Sequence, residues 1–184
     1  MSLKAGTYSL NGNSGKMSIY TYKEGLLSTL AHDLLIDVKN FKVNLNVPEA
    51  GLTSGSLEVE LQADSLKVDC AMKEGERKPD TLKEKDIADI EKDMAKKVLH
   101  PDKYPTVNFC SKEIKEKEAV YHVNGELSLH GVTKTIDFDI DTNGDNLKGR
   151  FSILQKDYGI KPFRAMLGTL KVKNEISFAF DLSL

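Results

Sequence analysis

The chain has 184 residues, 40% of them hydrophobic and 29% charged, and its formal net charge is −2. No Pro-, Gly- or Ser-rich linker divides this length, so we expect a single domain over residues 1–184. The near balance of acidic and basic side chains excludes a protein that binds nucleic acid through bulk positive charge.

The N-terminal segment MSLKAGTYSL lacks the apolar centre of a secretory signal, and no apolar run approaches the roughly 18 residues of a membrane-spanning helix. The sequence therefore predicts a soluble protein without a membrane-spanning segment, cytoplasmic as it stands. If Met1–Leu3 replaces a removed leader, the expected compartment is the periplasm.

Alternation of apolar and polar residues dominates the chain and predicts half-buried β-strands, with one face in a core and the other in water. In the run from Ile136 to Ile140, for example, the apolar residues alternate with aspartates. Similar runs contain, in chain order, Met17 and Ile19; Leu34, Ile36 and Val38; Leu57, Val59 and Leu61; Leu147, Gly149, Phe151 and Ile153; and Ile176, Phe178, Phe180 and Leu182.

Residues that tolerate positive φ separate several of these runs and predict short antiparallel connections. Such clusters are Asn11–Asn13 and Asn143–Asn146. Asn124–Gly125 has the same chemistry, but residues 121–129 read as one nearly continuous strand. This pair is therefore either a turn or a β-bulge.

The segment Asp80–Leu99 breaks the alternation and predicts an amphipathic helix of about five turns. A capping-box sequence, Thr81–Glu84, precedes its apolar stripe, and His100–Pro101 ends it. In an otherwise all-β chain, this helix is expected to cover an open edge or one end of the sheet. A partner helix for a coiled coil is the alternative.

The two cysteines, Cys70 and Cys110, lie far apart in the sequence and form no metal-type cluster. We expect two free thiols rather than a disulfide. Cys110 is expected on the strand face opposite Val107 and Phe109, and therefore partly exposed.

About eight or more antiparallel strands are enough to close a barrel around one slender ligand. Closure would also remove the exposed edges of the sheet. A two-sheet sandwich fits the same alternation almost equally well.

A distinctive order of motifs follows the predicted helix. Lys103–Phe109 (KYPTVNF) and Ser111 come first, and Gly125–Lys134 (GELSLHGVTK) follows. This order resembles the YceI-like family, in which a YPT-x-x-F-x-S strand precedes a G-x-L-x-x-x-GVTK hairpin. The resemblance extends over nearly the whole chain in order and length.

The resemblance implies an all-β protein with one helix, built as an antiparallel lipocalin-like β-barrel whose apolar lumen takes up an isoprenoid or fatty-acyl lipid. It implies carriage of that lipid rather than catalysis, requires no cofactor, and points to a homodimer. Burial of the hydrocarbon chain would drive binding, at about 0.8 kcal/mol per methylene.

Hydrophobicity alone indicates which parity of each strand faces the lumen. Charged residues at Phe109 and Phe138 are therefore expected to abolish lipid uptake. The full set of expected lumen residues is Leu34, Ile36, Val38, Val107, Phe109, Leu127, Leu129, Ile136, Phe138, Phe151 and Phe178.

The loop before the last strand run is apolar but has no clean periodicity. Its side chains Tyr158, Phe163 and Met166 must be buried somewhere, and the mouth or interior of the barrel is the nearest candidate. Lys161 and Arg164 could contact an anionic head group such as a phosphate. Alternatively, the loop is a plug against the barrel floor, with its cations in water.

His32 and Asp33 are the most prominent candidates for a general base and its carboxylate partner. Neighbouring residues on a strand point to opposite faces, which excludes a dyad there. His32 shares the parity of Leu34 and Ile36, so we expect it on the apolar face if the strand already begins at Ala31. Its imidazole would then need a hydrogen bond from the barrel or from a ligand head group.

The sequence predicts no catalytic residue and no metal site. His122 and His130 are expected to face solvent, and the four histidines lack the short spacings of a zinc site. The chain has no Gly-x-Ser-x-Gly elbow. The carboxylate-rich runs, such as Asp137–Asp141, make no EF-hand loop and are expected to be solvated faces.

Three functions stay open from the sequence. The first is a lipid carrier. The second is an enzyme that acts on a hydrophobic substrate, with His32 as the base in the lumen. The third is an interaction module with a filled core, which would present the helix at Asp80–Leu99 or the apolar loop to a protein partner.

Overall fold

The computed structural model describes residues 3–24, 32–165, 167 and 169–184. Within these ranges the protein has thirteen β-strands, and each strand pair is antiparallel. The strands are β1 (Gly6–Leu10), β2 (Gly15–Glu24), β3 (Asp33–Val38), β4 (Phe41–Val47), β5 (Ser56–Gln62), β6 (Leu66–Lys73), β7 (Glu76–Lys78), β8 (Thr106–Lys117), β9 (Val120–Leu129), β10 (Val132–Asn143), β11 (Asn146–Leu154), β12 (Arg164–Ala165) and β13 (Leu170–Ser183).

The strands form one curled sheet in the order β1-β4-β5-β8-β9-β10-β11-β13-β2-β3-β6-β7, and the short β12 pairs with β13. One α-helix, α1 (Glu84–Asp93), accompanies this sheet in the described part of the chain. The predicted fold class, a lipocalin-like antiparallel barrel with one helix, is therefore confirmed. The sandwich alternative is wrong, because the strands share one sheet.

Asn124–Gly125 lies inside β9, which pairs with β10 without interruption. The turn interpretation of this pair is therefore wrong. The irregularity lies on the neighbouring strand, since the β8 register shifts between Ser111 and Glu113, opposite this pair. An extra residue on one strand of an antiparallel pair is the defining feature of a β-bulge.

The predicted turns at Asn11–Asn13 and Asn143–Asn146 are confirmed, and they connect β1 to β2 and β10 to β11. The β9–β10 hairpin turns at His130 and Gly131, whose φ angles are 53° and 78°. Two successive positive φ angles match the right-handed twist of the flanking strands, which favours a tight connection here.

Helix α1 begins at Glu84, later than expected, because the backbones of Leu82 and Lys83 are extended. The backbone N–H of Lys83 donates to the carboxylate of Asp86, at 3.2 Å. The predicted Thr81 capping box is therefore wrong, and Asp86 satisfies the N-terminal donor instead.

A wider π-helical turn, Met94–Leu99, continues α1, and His100 in the left-handed conformation ends it. The apolar stripe of the helix packs against the main core, as expected for a covering helix and not for a coiled-coil partner. Glu91 accepts the backbone N–H of Val68 at 3.0 Å and pairs with Lys67 at 2.9 Å. The helix therefore covers the first part of β6, which β7 leaves unpaired.

The main core lies on the inner face of the curled sheet, where the apolar side chains of the strands pack together. A second, smaller cluster lies on the opposite face and contains Leu35, Cys70 and Met72, with Tyr20 packed beside them. A register shift of β3 against β6 after Leu35 accompanies this change of face. In the described ranges, no helix has the length and apolar character needed to cross a bilayer.

Candidate ligand-binding site

The curled sheet encloses a cavity of about 60 Å³ whose wall is entirely apolar. A dry cavity of about 150 Å³ is known to hold one benzene molecule. The enclosed space is therefore too small for a long hydrocarbon chain unless wall side chains move. The wall consists of Met17, Val43, Leu57, Val59, Leu61, Val107, Phe109, Leu127, Phe138, Ile140, Leu147, Phe151, Phe178, Ala179, Phe180 and Leu182.

Five phenylalanine rings lie in the cavity wall and contact one another. Phe138 is central: its ring centroid lies 5.2 Å from that of Phe109, 4.8 Å from that of Phe151 and 6.3 Å from that of Phe180. Phe151 in turn stacks on Phe178 at 5.1 Å. Such aromatic pairs contribute about 0.5–1.5 kcal/mol each beyond burial of their surface. The five rings therefore form one connected part of the cavity wall.

Two glycines on the inward parity provide space for these rings. A Cβ atom at Gly149 would lie 2.3 Å from a ring carbon of Phe180, and one at Gly125 would lie 2.5 Å from a ring carbon of Phe109. Any larger residue at either position would displace the ring, because contacts this short are repulsive. The glycines thus set how far the rings lie from the sheet.

Most of the predicted lumen residues lie on the inner face, but only some reach the cavity. Val107, Phe109, Leu127, Phe138, Phe151 and Phe178 form part of its wall. The others, which belong to the same core without lining the cavity, are Leu34, Ile36, Val38, Leu129 and Ile136.

Sequence reasoning did not assign the contribution of β4 to the cavity. Phe41, Val43, Leu45 and Val47 alternate with polar residues, and all four are buried. Val43 lies in the cavity wall. The period-2 signal that identifies the other strands is therefore present in β4 as well.

A second cleft, of about 480 Å³, lies outside the lumen and is strongly basic. Four cationic side chains line it, together with Pro162 and Phe163. Lys161 and Arg164 were predicted from the sequence. Lys97 and Lys156 were missed, because they come from α1's continuation and from the turn before the loop. We refer to Lys97, Lys156, Lys161 and Arg164 as the basic cleft.

The charges of the basic cleft are poorly compensated. Lys97 pairs with Asp93 at 2.8 Å and lies 5.6 Å from the Phe163 ring centroid. Among the described residues, no carboxylate lies within ion-pair distance of Lys156, Lys161 or Arg164, and these three residues are exposed. Converging uncompensated cations attract an anionic group.

The loop that carries Lys161 is anchored in the core by its apolar residues. Tyr158 and Ile160 are each only 2% exposed. Burial, together with the nearby Asp157, raises the pKa of the Tyr158 phenol above its ordinary value. Phe163 is only partly buried. Tyr158 and Ile160 therefore anchor the loop in the core, while Lys161 and Arg164 stay exposed. Whether the loop gates the barrel or plugs it stays a prediction.

Met166 was predicted to contact ligand, but it lies outside the described residues, so its role stays a prediction.

His32 does not lie on the apolar face, and that expectation is wrong. The residue is exposed, and β3 begins one position later, at Asp33. The Asp33 carboxylate accepts the backbone N–H of Lys23 at 2.8 Å. The alternation of strand parity does not extend to His32, because this residue precedes the strand. The proposed base in the lumen therefore has no support here.

His130 does not face solvent, so that expectation is also wrong. Its ring centroid lies 4.1 Å from that of Tyr104 and 5.8 Å from that of His100. Its Nε2 atom is buried without a hydrogen-bond partner among the described residues. Burial lowers the pKa of His130, and His100 and Lys103 act in the same direction, while a hydrogen bond with the Tyr158 backbone opposes them. His130 belongs to the hairpin turn, where strand parity ends.

His122 lies on the outer face, as predicted, and 36% of its side chain is exposed. Its Nδ1 atom lies 2.7 Å from a carboxylate oxygen of Asp139, and its Nε2 atom lies 3.6 Å from Asp137. Both aspartates are more than half exposed, with side-chain exposures of 57% and 61%. The aspartate run is therefore a solvated outer face.

Both cysteines are free, as predicted: Cys70 is buried and Cys110 is exposed. Within the described ranges, no group of three or more His, Cys, Asp or Glu side chains is arranged to hold a metal ion.

Comparisons with known proteins agree with this architecture. The YceI-like domain matches residues 16–184 of the chain. Comparison with curated protein sequences finds no relative. BcnA of Burkholderia cenocepacia has a similar structure, with a TM-score of 0.69 and 16% identity over 95% of this chain and 99% of its own.

Two further solved structures share the fold. A polyisoprenoid-binding domain from Saccharophagus degradans, implicated in plant cell wall breakdown, has a TM-score of 0.59 and 13% identity, over 97% of each chain. The Campylobacter jejuni YceI protein has a TM-score of 0.56 and 13% identity, over 81% of this chain and 82% of its own. Because the domain match spans nearly the whole sequence and includes the strand and hairpin motifs, the chain belongs to the YceI-like family.

Proposed function

We propose that this protein binds an isoprenoid or another long-chain lipid without catalysis, with the hydrocarbon chain in the phenylalanine-lined lumen. The main support is the wall of the lumen, which is entirely apolar over eight strands of the sheet. The structurally similar domain from Saccharophagus degradans is described as polyisoprenoid-binding. An apolar interior without polar contacts suits a hydrocarbon, since burial of apolar surface is non-directional.

Binding requires the phenylalanine cluster to rearrange, because the cavity measures only about 60 Å³. Burial of ten methylenes would contribute about 8 kcal/mol. The four ring contacts described above contribute about 2–6 kcal/mol together. On these magnitudes, a long chain has enough driving force to displace the rings, whereas a short one does not.

The basic cleft is the proposed site for an anionic head group. Lys97, Lys156, Lys161 and Arg164 would supply charge-assisted hydrogen bonds to a phosphate. This part of the proposal predicts selectivity between lipids with the same chain and different head groups.

Native mass spectrometry of the freshly purified protein tests the proposal directly. We expect a discrete added mass that denaturation releases as a long-chain lipid, or one that appears after incubation with a prenyl alcohol. Phe109→Asp should abolish the added mass. Cys110→Asp is the matched control, because it places the same charge one residue away on the exposed outer face. Uptake by a folded Phe109→Asp variant equal to wild type would refute the lumen assignment.

The head-group site has its own test. The double variant Lys161→Glu and Arg164→Glu should weaken binding of a prenyl phosphate by about tenfold or more. It should leave binding of the matching prenyl alcohol unchanged, because the alcohol carries no charge. Equal effects on both ligands would show that the cleft does not contact the phosphate.

The small cavity favours a second candidate, a barrel with a filled core that acts as a protein-interaction module. This candidate predicts a bare polypeptide mass before and after incubation with prenyl and fatty-acyl ligands. The same native mass spectra therefore separate the two functions.

A further inference from the structure

The wall of the sheet has a gap between β10 and β11. The ladder between these strands begins beside the turn, where Asn143 pairs with Asn146, and it ends where Ile140 pairs with Gly149. Beyond this point, β10 stays paired with β9 as far as Val132, and β11 stays paired with β13 as far as Leu154. Residues 132–139 and residues 150–154 therefore face each other without a ladder of backbone hydrogen bonds.

Aromatic side chains close this gap from the inside. Phe138 and Phe151 stack across it, with ring centroids 4.8 Å apart and ring planes 22° from parallel. Both rings also form part of the cavity wall. Further along, a surface cleft of about 330 Å³ lies between the two strands, and Ile136, Ile153 and Tyr158 contribute to its lining. The stacked rings therefore lie on the lumen side of the gap, and Ile153 and Tyr158, which are buried in the main core, lie on the cleft side.

The polar side chains beside the gap have hydrogen-bond partners on other strands and not across the gap. If the register continued, Asp139 would lie opposite Arg150. Asp139 instead contacts His122 on β9 at 2.7 Å, and Arg150 donates to the Tyr22 hydroxyl at 3.0 Å. Among the described residues, no ion pair or side-chain hydrogen bond joins the two facing segments. Opening the gap therefore breaks no polar contact between them.

The gap lies close to the basic cleft along the chain. In the turn Gln155–Tyr158, Lys156 lines the basic cleft, and Asp157 and Tyr158 line the surface cleft between the strands. A lipid with its head group at the basic cleft would therefore have its chain beside the gap.

We infer that the hydrocarbon chain enters and leaves the lumen sideways, between β10 and β11, when Phe138 and Phe151 separate. The inference rests on the proposed function, since it concerns the route of the same ligand. It follows from three observations: the ladder stops, two stacked rings lie across the gap, and both rings form part of the cavity wall. By contrast, α1 covers the part of β6 that β7 leaves unpaired, where Glu91 accepts hydrogen bonds from Val68 and Lys67.

A reducible cross-link across the gap tests this route. Asp137→Cys and Ser152→Cys, in a Cys110→Ser background, place thiols on the exposed positions beside Phe138 and Phe151. A short bifunctional methanethiosulfonate would join them. The control uses Lys42→Cys and Glu60→Cys, which are directly opposite and exposed on the fully paired β4–β5. The readout is the rate of uptake and release of a fluorescent prenyl alcohol, before and after reduction of the link.

The cross-link across the gap should slow both uptake and release by about tenfold or more, because gating motions of this kind set ligand exchange. Reduction should restore both rates, and the control link should leave them unchanged. Normal rates with the gap linked would overturn the lateral route while leaving the proposed function intact. Absence of uptake by the unlinked protein would overturn the proposed function and this inference with it.

Discussion

The lumen and the basic cleft differ in how binding and folding are coupled. In the lumen, the rings that would contact a ligand also contact one another and hold the two sides of the sheet together. In the basic cleft, Lys156, Lys161 and Arg164 lie in water and have no carboxylate partner among the described residues. Changes in the lumen should therefore affect stability and binding together, whereas changes in the basic cleft should affect binding alone.

The largest effect is expected from truncation of the central ring. Phe138→Ala should lower the free energy of unfolding by about 3–5 kcal/mol, because it removes buried surface and leaves a cavity. Phe163→Ala, the same change in the basic cleft, should cost less than about 1 kcal/mol, since Phe163 is only partly buried. Urea denaturation measures both. Equal losses would contradict the distinction between the two regions.

Overpacking of the lumen should have a smaller effect. Gly149→Ala would place a Cβ atom 2.3 Å from a ring carbon of Phe180, and it should cost about 1–3 kcal/mol of stability. Gly12→Ala is the control, because its Cβ atom would lie no closer than 3.7 Å to a neighbouring atom. Thermal unfolding of both variants checks the prediction. A stable Gly149→Ala protein would mean that the rings already move freely.

The pH dependence of stability should depend on His130, which lies in the β9–β10 hairpin turn beside Tyr104. Its pKa in the folded protein is lowered below 6.5, so the unfolded chain binds more protons as the pH falls through that value. Stability should therefore decrease on acidification from about pH 7.5 to about pH 5.5. His130→Gln should lose less stability over the same interval. Identical losses, measured by urea denaturation, would exclude His130 as a cause.

The smallest effect on stability is expected in the basic cleft. Lys161→Ala should change the free energy of unfolding by no more than about 0.5 kcal/mol, because the side chain is exposed and unpaired with carboxylates among the described residues. Chemical denaturation at low and moderate salt is the measurement. A loss of about 2 kcal/mol or more would show that this cation supports the fold.

Strand positions were predictable because strand parity is local. Phe138, Phe151 and Phe178 lie inward as the alternation indicates, since successive side chains on a strand point to opposite faces. The same rule failed for His32 and His130, which lie just outside a strand or in a turn. Periodicity gives the face of a residue only while the strand continues, and it does not mark where the strand ends.

Tertiary structure brings together groups that no local pattern connects. Lys97 follows the helix, while Lys156, Lys161 and Arg164 come from the turn and loop near the C terminus. The gap between β10 and β11 is likewise invisible in the sequence, because both strands alternate normally on either side of it. Pairing depends on the curvature of the whole sheet.

The amino-acid sequence is sufficient to predict the antiparallel all-β class, the covering helix, the apolar parity of the lumen and the family. These properties follow from local periodicity and from a short ordered motif. The folded structure is needed to show that five rings line a cavity of about 60 Å³, that four cations converge outside it, and that β10 and β11 are not hydrogen-bonded along part of the wall. Volumes and convergence depend on distances between residues far apart in the chain, which residue types alone do not specify.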